Sequence, residues 1–256
     1  MKMTGMLSFL ALIVIAFSAC QKEDVLNNLT NSIDLSDDQK MDLVSSALAS
    51  STGGIMAQLE LSGNFLDSTF YAFGKLDTSL TYNWMHYDVE LSFFASGIEV
   101  PLYIPGLVDS VTADIHLTGD TTYASQTGGN GTWTLNLNTH AMLYLKQLAL
   151  DTIRVNGNGA DSSLFVNQTQ AQTLNIESRS TFALQNVVMP IGGPTYYPVA
   201  GTVSGVVAGT ASNGTLTKNI QIPYTATFTG DGRVTVTLTN SGLQFVIDLT
   251  TGQIIR

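Results

Sequence analysis

Cysteine occurs once in 256 residues, histidine three times and proline six times, and only 12% of the chain is charged. Each scarcity excludes something. A single cysteine forms no intramolecular disulfide and cannot supply the several thiolates of a structural zinc site. The histidines, His86, His116 and His140, make no H-E-x-x-H pair, so no metal site is expected from sequence. Lys and Arg number 10 against 20 Asp and Glu and form no cluster. Nucleic acid is therefore not an expected partner, and neither is direct attraction to an anionic membrane surface.

Motifs of catalysis are missing as well. There is no G-x-S-x-G elbow and no D-x-D-x-D-G calcium loop. Gly128-Gly129-Asn130-Gly131 lacks a following Gly-Lys-Ser/Thr, which makes it a hairpin loop instead of a phosphate cradle. Asp114 and His116 share the polar face of one strand, but no nucleophile accompanies them, so His116 reads as a solvated strand histidine. No carboxylate pair stands out for glycoside hydrolysis. The expectation is a protein that is not an enzyme and needs no cofactor.

One long apolar run exists. Lys2 precedes Met6 to Phe17, 12 residues, the length of a signal-peptide core and too short to span a bilayer. Phe17-Ser18-Ala19-Cys20 follows and resembles the bacterial lipobox. That resemblance implies removal of residues 1–19, a diacylglyceryl group on the Cys20 thiol and a stable lipid anchor. Gln21-Lys22-Glu23-Asp24 is similar to the surface-export signal of Bacteroidota lipoproteins. The implied address is the outer membrane, facing the cell exterior. Four triplets look like the O-glycosylation sequon of the same phylum, with acceptors Ser68, Ser110, Thr121 and Thr152; equally, Asp-Ser and Asp-Thr favour turns.

What remains is a body of one domain, residues 35–256, behind a polar tether over 20–34 that would span about 20 Å as a flexible coil. Ser36 with Gln39 has capping-box spacing, Asp37 and Asp38 fall in the first turn, and Gly53-Gly54 stops the run, which predicts one helix over about 36–52. Met41, Val44, Ala47 and Leu48 would form its packing face.

Everything after Gly54 alternates with period two. Val111, Ala113, Ile115 and Leu117 oppose Thr112, Asp114, His116 and Thr118. Leu174, Ile176, Phe182, Leu184 and Val188 share another parity, and Gly230-Asp231-Gly232 and Asn240-Ser241-Gly242 mark hairpins. About a dozen strands emerge, several longer than ten residues. The predicted fold is all-β: a large curved antiparallel sheet or incompletely closed barrel with one N-terminal helix packed on it. Gly201, Gly205 and Gly209 mark a close approach or a bend.

A capped helix in the mouth of such a sheet is similar in outline to the lipoprotein-carrier fold of the outer-membrane acceptor for lipoproteins. The likeness is architectural and carries no functional residue. A membrane-spanning barrel is opposed by the lipobox, the tether and the end Gln253-Ile254-Ile255-Arg256, which lacks a terminal aromatic.

The aromatic stretch Leu80 to Leu91 holds Tyr82, Trp84 and Tyr87, and its alternation slips there. It reads either as an aromatic platform for a sugar or apolar ligand, or as a strand buried on both faces or bulged. Gly192 to Pro198 carries Tyr196 and Tyr197 on a loop. Three roles remain open: a structural or adhesive surface protein with an unknown protein partner, a carrier or sensor of a hydrophobic ligand, and a glycan-binding accessory protein. Mass spectrometry of the membrane-extracted protein should find a mature N-terminus at acylated Cys20; an unmodified Cys20 overturns the anchor.

Overall fold

The computed structural model describes residues 33–67, 76–104, 106–128, 131–149, 151–168, 173–193 and 195–255. Cys20, Gln21, Lys22, Glu23, Asp24 and Ser68 lie outside the described residues. Among the described residues, no helix is long and apolar enough to cross a membrane.

Among the described residues, two helices and not one precede the strands: α1 (Asp37–Leu48) and α2 (Ile55–Asp67). The capping box at the start of α1 forms as its spacing predicts. Ser36 Oγ accepts from Gln39 N at 3.2 Å, and Gln39 Oε1 accepts from Ser36 N at 3.0 Å. The stop comes earlier than Gly53, because the chain leaves the helix at Ala49 in extended conformation. Thr52 Oγ1 then donates to the Ser46 carbonyl at 2.8 Å, and Gly54 N to the Ala49 carbonyl at 2.8 Å, folding a short connector into α2. Residues 41–46 of α1 are all buried, so this helix is enclosed around its circumference instead of resting on one apolar face.

The sheet has twelve strands, every pairing is antiparallel, and it does not close into a barrel. β1 (Leu76–Tyr82), β2 (Met85–Ala95) and β3 (Ile98–Val100) form one edge, where β3 extends the line of β1 along β2. The long central strands are β4 (Ser110–Ala124), β5 (Thr132–Ala149), β6 (Thr152–Gln168) and β7 (Thr173–Pro190). β8 (Ala200–Ser212), β9 (Thr217–Phe228), β10 (Arg233–Leu238), β11 (Gln244–Asp248) and β12 (Ile254–Ile255) complete the order in sequence. Strands of 15–18 residues in the centre far exceed the usual five or six. The side chains on their inward parity face the helices and are mostly apolar.

Bending comes from specific breaks in register. Irregularities fall between Val155 and Gly157 on β6 and between Gln185 and Val188 on β7. Asn186 adopts φ 51°, and its N–H donates to Asn156 Oδ1 at 2.8 Å across the bulge. The bulge inverts the parity of the strand end. Val187 and Met189 are buried and Val188 is half-buried, so Val188 does not continue the Leu174–Leu184 face as alternation alone predicts. On β8, Gly205 lies against the Tyr224 ring of β9: a Cβ there would stand 2.5 Å from the phenol oxygen. The small residue accommodates an aromatic side chain from the neighbouring strand.

Asp42 pins α1 to this sheet. Its carboxylate is 3% exposed and accepts four hydrogen bonds. The donors are Ser125 Oγ at 2.7 Å, Gln126 N at 2.9 Å, Thr127 N at 3.0 Å and Trp133 Nε1 at 2.9 Å. All four come from the end of the β4–β5 hairpin. At the other end of the sheet, Ser45 Oγ donates to the Gly252 carbonyl, and Ser50 N donates to the Leu249 carbonyl at 2.8 Å. Ile254 N bonds the Gln126 carbonyl at 3.0 Å, so hairpin and C-terminal segment meet beside the helix.

Asp42→Ala would leave buried donors unpaired. The expected cost is on the order of 3 kcal/mol, since these bonds go to a charged group. Denaturant unfolding measures it; a loss below about 0.5 kcal/mol, the range of an ordinary surface substitution, would refute this role for Asp42.

Candidate functional site

The stretch Leu80 to Leu91 is neither a flat platform nor one wide strand. It is a hairpin: Tyr82 pairs with Met85, and Asn83-Trp84 makes the turn, with Asn83 at φ 55°. Asparagine tolerates that left-handed conformation, which a tight hairpin requires. The slip in alternation is the signature of the turn.

The hairpin separates the three aromatic residues. Trp84 folds back over Gly119 of β4, where a Cβ would stand 2.7 Å from the indole. Tyr82 projects outward, 64% exposed, whereas Tyr87 is 3% exposed and donates its hydroxyl to Met85 Sδ at 3.1 Å. Tyr82 and Tyr87 both line a cleft of about 530 Å³. Trp84 does not.

Three walls enclose this cleft. Leu80, Tyr82, Met85 and Tyr87 come from the β1–β2 hairpin. Ala57, Glu60, Leu61, Asn64 and Phe65 come from α2. Thr195, Tyr196 and Tyr197 come from the β7–β8 connection, with Ser50 and Thr250 at the rim. Two contacts hold the loop wall. The Tyr196 ring packs on Gly63 of α2, where a Cβ would be 2.5 Å from it, and the Tyr197 hydroxyl meets Thr250 Oγ1 at 2.8 Å. The cleft therefore sits where the sheet's first edge, α2 and a loop from its far half converge.

Apolar and aromatic carbon dominates this lining, and one acid interrupts it. Burial pushes the Glu60 carboxyl above its usual range, against the opposing effect of a hydrogen bond from Ser50. Burial, with the nearby Glu60 charge, also raises the Tyr87 phenol. Such a cleft can hold an apolar body of moderate size and meet one polar group of it at Glu60.

Another acid lies under the helices. Asp161 on the inner face of β6 accepts from Ser163 Oγ at 3.1 Å and from Ser180 N at 3.3 Å. Burial again raises its carboxyl above the usual range. Ser46, Gln58 and Thr139 line the small chamber around it, so the inner face is polar at its centre. Alternation does not reveal this patch, because Ser and Thr continue the parity of the apolar residues.

The outer face gathers all three histidines within β2, β4 and β5. His116 pairs across strands with both Asp88 and His140, and His86 lies one position along the same face from Asp88. In sequence, His116 reads as a solvated strand histidine with Asp114 on its face. His140 stands 24 positions away, and only the β4–β5 register brings it alongside.

The sequon positions are dispersed. Ser110 and Thr152 begin β4 and β6, and each donates its hydroxyl to the preceding Asp, at 2.7 and 2.9 Å. Thr121 is half-buried within β4 and belongs to the helix-facing parity.

No family model, curated protein or solved structure matches the chain.

The raised Glu60 carboxyl has a testable consequence. The folded protein keeps this proton to a higher pH than the unfolded chain, so Glu60 lowers stability as pH rises from about 4 toward its folded value. Glu60→Gln should flatten that part of the pH–stability curve relative to the parent in denaturant unfolding. Identical slopes for both proteins would contradict the burial of this charge.

Proposed function

We propose that this chain is a lipid-anchored cell-envelope protein, held at the outer membrane and facing the exterior through acylated Cys20, that carries or senses one apolar ligand. The observation that carries the reading is the cleft of about 530 Å³ between α2, the β1–β2 hairpin and Tyr196–Tyr197. Its volume lies in the range of small-molecule sites, and its mostly apolar lining includes the hydrogen-bonded pair Ser50 and Glu60. The ligand class that fits is an apolar molecule with a hydroxyl end, which can donate to the Glu60 carboxyl in this partly buried position.

A purely structural or adhesive body does not require such a cleft. The glycan reading loses support from the hairpin, since a sugar platform needs neighbouring exposed aromatic faces. Tyr87 is buried and Trp84 covers Gly119. Tyr82 is left without them.

The test is mass spectrometry of the organic extract of the purified protein, together with titration by a fluorescent fatty-acyl probe. One apolar molecule per chain, or probe binding weakened about tenfold by Leu61→Arg, is the expected result; a charge in an apolar cleft costs at least that much. An empty extract with no probe binding would return the structural surface role to first place.

A further inference from the structure

Asp114, His116 and His140 place one ligand atom each within 4.8 Å of the others on the outer face of the sheet. The arrangement follows from strand geometry. Asp114 and His116 are two residues apart on β4, hence on the same face, and His140 of β5 is the direct cross-strand partner of His116. The imidazoles of His116 and His140 stack with centroids 4.2 Å apart and planes 10° from parallel. Asp114 Oδ1 lies 2.7 Å from His140 Nε2 and 4.0 Å from His116 Nε2.

We infer that these three residues form a surface site for a divalent transition-metal ion of the zinc type. Two imidazoles and one carboxylate are a donor set such ions favour, with the remaining positions left to water. With metal–nitrogen bonds of about 2.0–2.1 Å, neighbouring donors around a tetrahedral ion stand about 3.3 Å apart. The present separations of 2.7 and 4.0 Å bracket that value. All three side chains are partly exposed, so the rings have room to rotate out of their stacked arrangement and bring the donors to that spacing. An ion there replaces the 2.7 Å hydrogen bond between Asp114 and His140, and the two rings turn out of their stack so that their nitrogen lone pairs converge on it.

Charge around the site supports a cation. Asp88 stands opposite His116 and Glu90 opposite Asp114. Neither β2 nor β4 contains a Lys or Arg, and the one in β5, Lys146, lies at its far end. The site is remote from the cleft in sequence position and faces the opposite side of the sheet, so this inference stands independently of the ligand reading.

Calorimetric titration of the full-length, detergent-extracted protein with Zn²⁺ alone tests it. One ion per chain is expected, with affinity reduced at least about tenfold in His116→Ala and in His140→Ala and unchanged in His86→Ala. A second measurement avoids variants altogether: Zn²⁺ should protect His116 and His140, but not His86, from acylation by diethyl pyrocarbonate. Absence of binding, or equal modification of all three histidines with and without Zn²⁺, would overturn the assignment.

Discussion

The Asp42 carboxylate is the fixed point of this molecule. An open twelve-stranded sheet presents a long apolar face that only another layer can remove from water, and here that layer is a pair of helices. Two short helices cannot cover such a face unless something holds them in register with it. Asp42 does so with four hydrogen bonds from a single hairpin. Its charge is costly to bury, and burial raises its carboxyl, but the directed donors recover much of that cost and leave one orientation for α1. Ser45 and Ser50 then tie the same helix to the C-terminal segment, so the two distant parts of the sheet meet across α1.

Curvature has a separate source. The bulges at Asn156 and Asn186 and the ring of Tyr224 over Gly205 bend the central strands without closing them into a barrel. Because the sheet stays open, α2 is buried over its first turns, Ile55–Leu59, yet turns Glu60, Leu61 and Phe65 toward the first edge. The cleft is the space between that edge, the helix and the Tyr196–Tyr197 loop. Its location is a consequence of incomplete closure, and its walls come from segments more than 100 residues apart.

The outer face follows different rules. Threonine, asparagine and serine dominate it, consistent with a wet surface of low charge, and the histidine row is its main departure from that composition. On a β-sheet, neighbours across strands are as close as neighbours along one. A donor set can therefore be assembled from residues that look unrelated in sequence. His116 and His140 are such a pair.

Sequence by itself determined the all-β body, the alternating faces, the strand count and the Ser36 capping box, because each depends on residue types a few positions apart. It did not determine α2. Gly53-Gly54 read as an ending, and Ser62, Gly63 and Asn64 are weak helix formers; Ser62 and Gly63 are buried here by packing, including Tyr196 on Gly63. Nor did it reveal the Asn83-Trp84 turn, where aromatic residues on both sides imitated one strand, or the parity change at Asn186. The cleft, the acids Glu60 and Asp161, and the His116–His140 stack belong to the tertiary structure alone. Each needs groups far apart in the chain to become neighbours, and strand register decides which ones do.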